Sequence, residues 1–321
     1  MDALSEVLRA VRLTGAAILN ADCGAPWGMA VVSTTPLARG HIPDADNPAV
    51  FHLVVSGECW LMVGDAAPLR LRAGDVAVLA QGDAHRIGDK PESETVALAS
   101  LIRAPIAGEL VPMVHGGSGA RTHVITGIAA ADRRLADPLH AALPPVLRAN
   151  LRGACAVDGL VDAVGLALSG NEAPRPGGMA SLARFAELIF IEAIRRHVES
   201  IPPGATGWLA GLADRYVGRA LALMHAKPGD DWTVEKLGRH VGLSRSALAD
   251  RFTHLLGEPP ITYLSHWRLR LAAQKLALTH RSVEAIATEA GYESANAFSH
   301  AFKRAFGKPP TVWRKKARVR K

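Results

Sequence analysis

Cysteine is scarce in this chain: three residues in 321, at Cys23, Cys59 and Cys155. That is too few and too scattered for a disulfide framework or a structural zinc site, and it points to a reducing compartment. Long apolar runs are missing too, since nothing approaches the roughly 18 consecutive apolar residues of a membrane helix. The opening MDALSEVLRAVRL has no basic start and no adequate apolar stretch, so it does not read as a secretory leader. The expectation is a cytoplasmic protein with no membrane partner. The glycine-rich HGGSGA of residues 115–120 lacks the Gly-Lys-Ser/Thr continuation of a phosphate loop and reads as a solvated loop.

What is present is a chain of 321 residues, 49% hydrophobic, enough for two or three packed domains. Its net charge of +7 is unevenly placed: from Trp208 onward there are 20 Lys and Arg against 9 Asp and Glu, so the remainder is acidic. A basic final third is the electrostatic footprint of a nucleic-acid binder. Ile201 to Gly207, IPPGATG, marks the boundary in front of it.

Within that third, residues 232–252, WTVEKLGRHVGLSRSALADRF, read as a helix-turn-helix. Thr233 is placed to cap a first helix, Gly242 permits a sharp turn and Ser244 is placed to cap a second helix. With Leu248 on the inner face, a step of about 100° per residue puts Phe252 and Leu255 beside it and turns Ser246, Asp250 and Thr253 outward. Residues 282–302, SVEAIATEAGYESANAFSHAF, repeat the plan, with Val283, Ile286, Gly291, Phe298 and Phe302 answering Val234, Leu237, Gly242, Leu248 and Phe252. The echo continues: Gly257, Pro259, Pro260 and Tyr263 are answered by Gly307, Pro309, Pro310 and Trp313. Between the units, residues 259–280 supply a long helix that would hold two reading heads at fixed separation.

On WTVEKL, VGLSRSALADRF, AGYES, AFSHAFKRAFGKPP and VWR, the last hundred residues resemble the DNA-binding domain of the AraC-type transcriptional regulators. The resemblance implies a sequence-specific regulator of transcription, with double-stranded DNA and RNA polymerase as partners. The outward positions of the second helices are the candidates for base contact: Ser246, Ala249 and Asp250 in the first unit, Asn296, Ser299 and His300 in the second. Arg245, Arg281, Lys303, Arg304 and the terminal RKKARVRK are placed to hold phosphates. Asp250, a carboxylate facing phosphates, should lower general affinity and sharpen sequence choice.

The first part has a different texture. Residues 2–13 have apolar residues at helical spacing, and then MAVVS, FHLVVSG, CWLMVG, LRLRAGDVAVLAQG, TVALASLI and THVITGI read as short strands of an antiparallel barrel or sandwich. LRAGDVAVLAQGDAHRI resembles the second motif of a cupin, with His85 in the histidine position; FHLVVSGECW resembles the first motif less well, offering His52 and Glu58 but Val54 at the second histidine position. Three readings stay open for this region: a pocket for a small effector, a divalent metal on His52, Glu58 and His85, or a structural barrel. No cofactor is required. Cys23 and Cys59 are redox candidates, because some relatives of this type sense oxidants through cysteine; the plain alternative is two small apolar core residues.

The expected architecture is therefore α+β: a cupin-like β-barrel over 1–130, a helical segment over 131–200, and a double helix-turn-helix over 208–321. Helices are expected at 132–142, 156–169 and 179–199, the last with an apolar seam of Leu182, Phe185, Ile189 and Phe190 that needs a partner and points to a homodimer. No catalytic constellation appears, so the protein is expected not to be an enzyme. The alternative is a metal-dependent cupin enzyme or metal sensor carrying a DNA-binding appendage.

Overall fold

The computed structural model describes residues 3–11, 14–34, 42, 48–102, 112–130, 139–152, 159 and 178–319. The chain divides into two compact units, Leu13–Ala131 with Leu143–His197, and Val198–Lys321 with Met1–Arg12 and Asp132–Ala142. The helix α1 (Ala3–Val11) is thus grouped with the C-terminal helices.

The first unit is built from two facing sheets. Its strands are β1 (Thr14–Gly24), β2 (Gly28–Val31), β3 (Ala49–Ser56), β4 (Glu58–Val63), β5 (Leu69–Arg72), β6 (Asp75–Leu79), β7 (His85–Gly88), β8 (Val96–Ala97), β9 (Pro112–Gly116), β10 (Arg121–Ala130) and β11 (Leu147–Asn150). One sheet has the order β11-β6-β3-β10-β1-β9 and the other β5-β4-β7-β2-β8. Pairing is antiparallel except where β9 runs parallel to β1 and β8 to β2. The core lies between the sheets and takes Ile18, Ala21 and Cys23 from β1, Val50 and Val54 from β3, Cys59 and Leu61 from β4, and Ile87 from β7. Among the described residues no ladder joins the two sheets, so the expected barrel takes the form of a sandwich.

Three expectations need correction here. TVALASLI contributes only the two residues of β8 before the chain turns into a short helix, α2 (Leu98–Leu101). The segment 131–200, expected to be helical, contains β11, which pairs with β6. That strand is fastened by buried Asp75, which accepts from Arg148 Nη2 at 2.7 Å, Asn150 Nδ2 at 2.8 Å and the Arg72 amide at 2.9 Å. Finally, Ile189 and Phe190 of α3 (Gly178–Ser200) are buried within their own chain, so they are not free to form a seam with a second copy. Part of the reason is that α3 lies against β1: a Cβ on Gly15 would meet the Glu187 backbone nitrogen at 2.7 Å. Phe185 is half-buried and Leu188 is 44% exposed. The Leu182 side chain, Cys155 and, apart from Gly159, the helix expected at 156–169 lie outside the described residues.

The second unit contains α4 (Trp208–Ala213), α5 (Arg215–Ala226), α6 (Val234–Val241), α7 (Arg245–Leu256), α8 (Pro260–Leu278), α9 (Val283–Glu289), α10 (Ala295–Phe306) and α11 (Pro310–Val319). The duplication holds in three dimensions. Thr233 accepts from the Lys236 amide at 3.1 Å and Ser282 from the Ala285 amide at 3.1 Å, each capping the first helix of its unit. Gly242 and Gly291 make the turns at φ 85° and 79°, values that a residue with a Cβ rarely adopts. Ser244 and Ser294 then cap α7 and α10 through the Ala247 and Ala297 amides. Val217, Ala220, Leu221 and Met224 of α5 join Leu248 and Phe252 in one core, and Phe298 and Phe302 anchor a second core against α8.

Candidate nucleic-acid interface and interior histidine pair

On α7, Leu248 and Phe252 are fully buried, while Ser246 and Asp250 are exposed and Ala249 is half-buried. On α10 the same register gives buried Phe298 and Phe302, exposed Asn296 and His300, and half-buried Ser299. Both second helices thus present the face expected of them, and the six candidates for base contact lie on those two faces. Asn and Ser offer donors and acceptors to base edges in a major groove, and Asp can accept from the cytosine amino group.

The phosphate candidates are less uniform. Arg245, Lys303 and Arg304 are exposed, the first at the start of α7 and the others in the last turn of α10. Arg281 is instead committed: it pairs with Glu289, which also pairs with Lys275 of α8. The hydrogen bond from Lys275 is the main cause holding the Glu289 carboxyl below its ordinary range. Lys275 thus fastens α9 to α8, and Arg281, in the link between the two helices, is held by Glu289 and by Arg314 Nη2, which donates to its carbonyl at 2.5 Å. Of the terminal basic run, residues up to Val319 continue α11.

A second fastening joins α5 to α7. Asp214 caps α5 by accepting from the amides of Tyr216 at 3.0 Å and Val217 at 2.9 Å. The same carboxylate takes Arg251 of α7, with Nε at 3.1 and 2.9 Å and Nη2 at 2.5 Å. Burial raises the Asp214 pKa, but the Arg251 hydrogen bond and the two amides outweigh it and hold the group low. The cap was legible as Asp before a helical run. Its partner 37 positions away was not.

In the sandwich, His52 of β3 and His85 of β7 meet across the two sheets, Nε2 to Nε2 at 2.7 Å. They are 0% and 4% exposed. His85 Nδ1 lies 2.7 Å from the Asp83 carbonyl, which can only accept, so that nitrogen carries the proton. In a neutral ring His85 Nε2 is then an acceptor, and His52 Nε2–H donates to it. His52 Nδ1 must in turn accept from the hydroxyl of Thr126, its cross-strand neighbour, at 2.8 Å. One directional chain, Thr126 to His52 to His85 to Asp83, satisfies all four ring nitrogens. Burial keeps both rings neutral, lowering the pKa of His52 well below its ordinary value, assisted by His85, and lowering that of His85 against the raising effect of the Asp83 carbonyl.

Glu58 is not brought to this pair. It lies on the exposed side of β4 and accepts from Arg70 Nη2 at 2.7 Å. Among the described residues no three His, Cys, Asp or Glu side chains converge, and the histidine nitrogens are already used, so the donor set does not fit a divalent ion. Cys23 and Cys59 are both 0% exposed. Burial, then Asp22, pushes the Cys23 thiol up to about 12, and burial also raises that of Cys59, so neither has the thiolate character of a reactive cysteine.

Two family models match the chain, a cupin over residues 2–199 and a helix-turn-helix domain over residues 237–316. A protein of Streptomyces lividans described as an AraC-like transcription regulator is 33% identical over 282 residues, covering 85% of this chain and 88% of its own length. The HTH-type transcriptional regulator AlkR of Acinetobacter baylyi is 27% identical, covering 99% of this chain and 100% of its own length. Among solved structures, the DNA-binding domain of AdpA in complex with a target DNA is 27% identical over 34% of this chain and 96% of its own, with a TM-score of 0.32. No described helix is long and apolar enough to cross a membrane.

Proposed function

Because the chain belongs to the AraC-like transcription regulators, with a cupin domain ahead of a DNA-binding helix-turn-helix domain, we propose that α7 and α10 read its operator through Ser246, Ala249 and Asp250 and through Asn296, Ser299 and His300. Arg245, Lys303 and Arg304 hold the phosphates. The observation that carries this reading is the doubled face: in both units the apolar side of the second helix is consumed by the core while polar side chains stand exposed at matching positions, Ser246 and Asp250 in one and Asn296 and His300 in the other. Phosphate contacts fix register without information, so sequence choice falls to those outward residues.

The sandwich is the sensory part, and it takes a small effector rather than an oxidant. Buried thiols with raised pKa values support that choice. No metal is required, and the protein acts as a cytoplasmic regulator, not as an enzyme. Two copies pair through the region before residue 200, where Leu188 remains outward, and RNA polymerase is the partner through which binding alters transcription.

The test is base-by-base substitution of a duplex selected from a random library by the full chain. Asn296→Ala should relax preference at one or two positions and leave the others unchanged. Equal loss at every position would reduce Asn296 to a backbone contact. Sedimentation at micromolar concentration checks the dimer, and a monomer there would remove it.

A further inference from the structure

Arg268 on α8 sits where the two DNA-reading units meet. Its Nε donates to the Pro228 carbonyl at 2.6 Å and its Nη2 to the Asp230 carbonyl at 2.7 Å, both in the loop that leads into the first unit. That loop is internally bonded, with Trp232 Nε1 donating to the Lys227 carbonyl at 2.8 Å. Lys236 of α6 donates to the Asp231 carbonyl at 2.7 Å, so the loop moves with α6. The guanidinium also lies under the turn of the second unit: a Cβ built on Gly291 would sit 3.1 Å from Nη1 and 3.2 Å from Cζ. The next residue, Tyr292, packs edge-on against Phe298 of α10 with ring centroids 5.4 Å apart, so this turn moves with the second recognition helix. The same loop approaches the end of α9 directly, since a Cβ on Gly229 would lie 3.6 Å from the Glu289 carbonyl.

We infer that Arg268 is a positioning residue that fixes the distance and angle between the two recognition helices, and thereby selects operators by the spacing of their two sub-sites. The inference rests on both helices engaging DNA, as proposed above. A planar fork is needed for it. Only a guanidinium can bond two carbonyls two residues apart while lying flat against a residue without a side chain; a lysine ammonium offers the charge without the plane. The long helix alone sets how far apart the units are attached, whereas Arg268 sets how each unit is turned about that attachment.

The test uses the full chain and a duplex selected by it, with the two sub-sites mapped by base substitution. Inserting or removing one base pair between them shifts one sub-site by about 3.4 Å and turns it by roughly 35°. The wild-type chain should lose about tenfold or more in affinity on either spacing variant. In Arg268→Ala that penalty should shrink to about threefold or less, while duplexes carrying a single sub-site bind both proteins within about twofold. Arg268→Lys should behave like Arg268→Ala, and it carries the test if the alanine variant does not fold. A variant that keeps the wild-type spacing penalty, or that loses the same factor on single sub-sites, overturns the inference. So does a wild-type chain indifferent to spacing. If the wild-type chain shows no salt-dependent binding to any duplex, the failure belongs to the DNA-binding reading itself.

Discussion

Replacing Asp214 by Ala removes two things with one side chain: the cap on α5 and the tie to Arg251 on α7. A lost cap costs about 1 kcal/mol. The ion pair adds about 0.5 kcal/mol, discounted because Arg251 is half exposed and can be re-solvated when its partner leaves. The sum, roughly 1.5 kcal/mol, corresponds to about 5 °C in melting temperature for a unit of this size. Asp214→Asn keeps a cap acceptor and should lose about a third of that. The carboxyl is held below its ordinary value of 3.8, so its contribution is complete at neutral pH and fades as pH falls below that value through the depressed pKa. The gap between wild type and Asp214→Ala should therefore close in acid. Thermal melts at several pH values, together with a double-mutant cycle against Arg251→Ala, measure both effects. A melting temperature within 1 °C of wild type, or strictly additive single variants, would refute the coupling.

The other predictions concern the reading face and the interior. Asn296→Ala should cost about 1 to 3 kcal/mol on the selected duplex and little on random DNA. Asp250→Ala should do the reverse on random DNA, raising affinity by removing a repelled carboxylate; titration of both duplexes separates the two outcomes. His52, His85 and His225, the last buried on α5 with Nε2 2.8 Å from the Tyr263 hydroxyl, are all kept neutral by burial, with His225 lowered to about 3. Below their ordinary value of 6.5 the unfolded chain binds protons that the folded chain does not, so stability should fall with pH by up to about 1.4 kcal/mol per pH unit for each group. Urea unfolding between neutral pH and about pH 5 checks the sign, and a flat profile would contradict the burial of these rings. Cys23 and Cys59 should resist alkylation in the folded protein, and any response to added oxidant should survive Cys23→Ser with Cys59→Ser. Loss of that response would restore thiol sensing.

The helical part of the fold was written plainly in the sequence because its signals are local. Caps at Thr233, Ser244, Ser282 and Ser294, turns at Gly242 and Gly291, and apolar residues at helical spacing all act within a few positions, and each recurs in the duplicate. The sandwich was legible in its middle strands and not at its margins. β1, its longest strand, was passed over: its core residues run Ala16, Ile18, then Leu19, Ala21 and Cys23, because a bulge between Ala17 and Leu19 resets the alternation. β11 depends on Asp75 from a distant part of the chain, which no window around residues 147–150 contains. His52 and His85 were picked out by motif, but their direct pairing, the solvent position of Glu58 and the Asp214–Arg251 tie are tertiary facts with no local signature.

The central claim is that two outward helix faces on a basic unit recognise a DNA sequence, and the measurement that bears on it most directly is full-chain affinity for a selected and a shuffled duplex over a salt series. The logarithm of affinity should fall linearly with the logarithm of salt between about 50 and 200 mM on both duplexes, through release of counterions from the phosphates. The selected duplex should stay about a thousandfold tighter or more throughout. Binding that ignores salt, or that fails to distinguish the two duplexes, would contradict it.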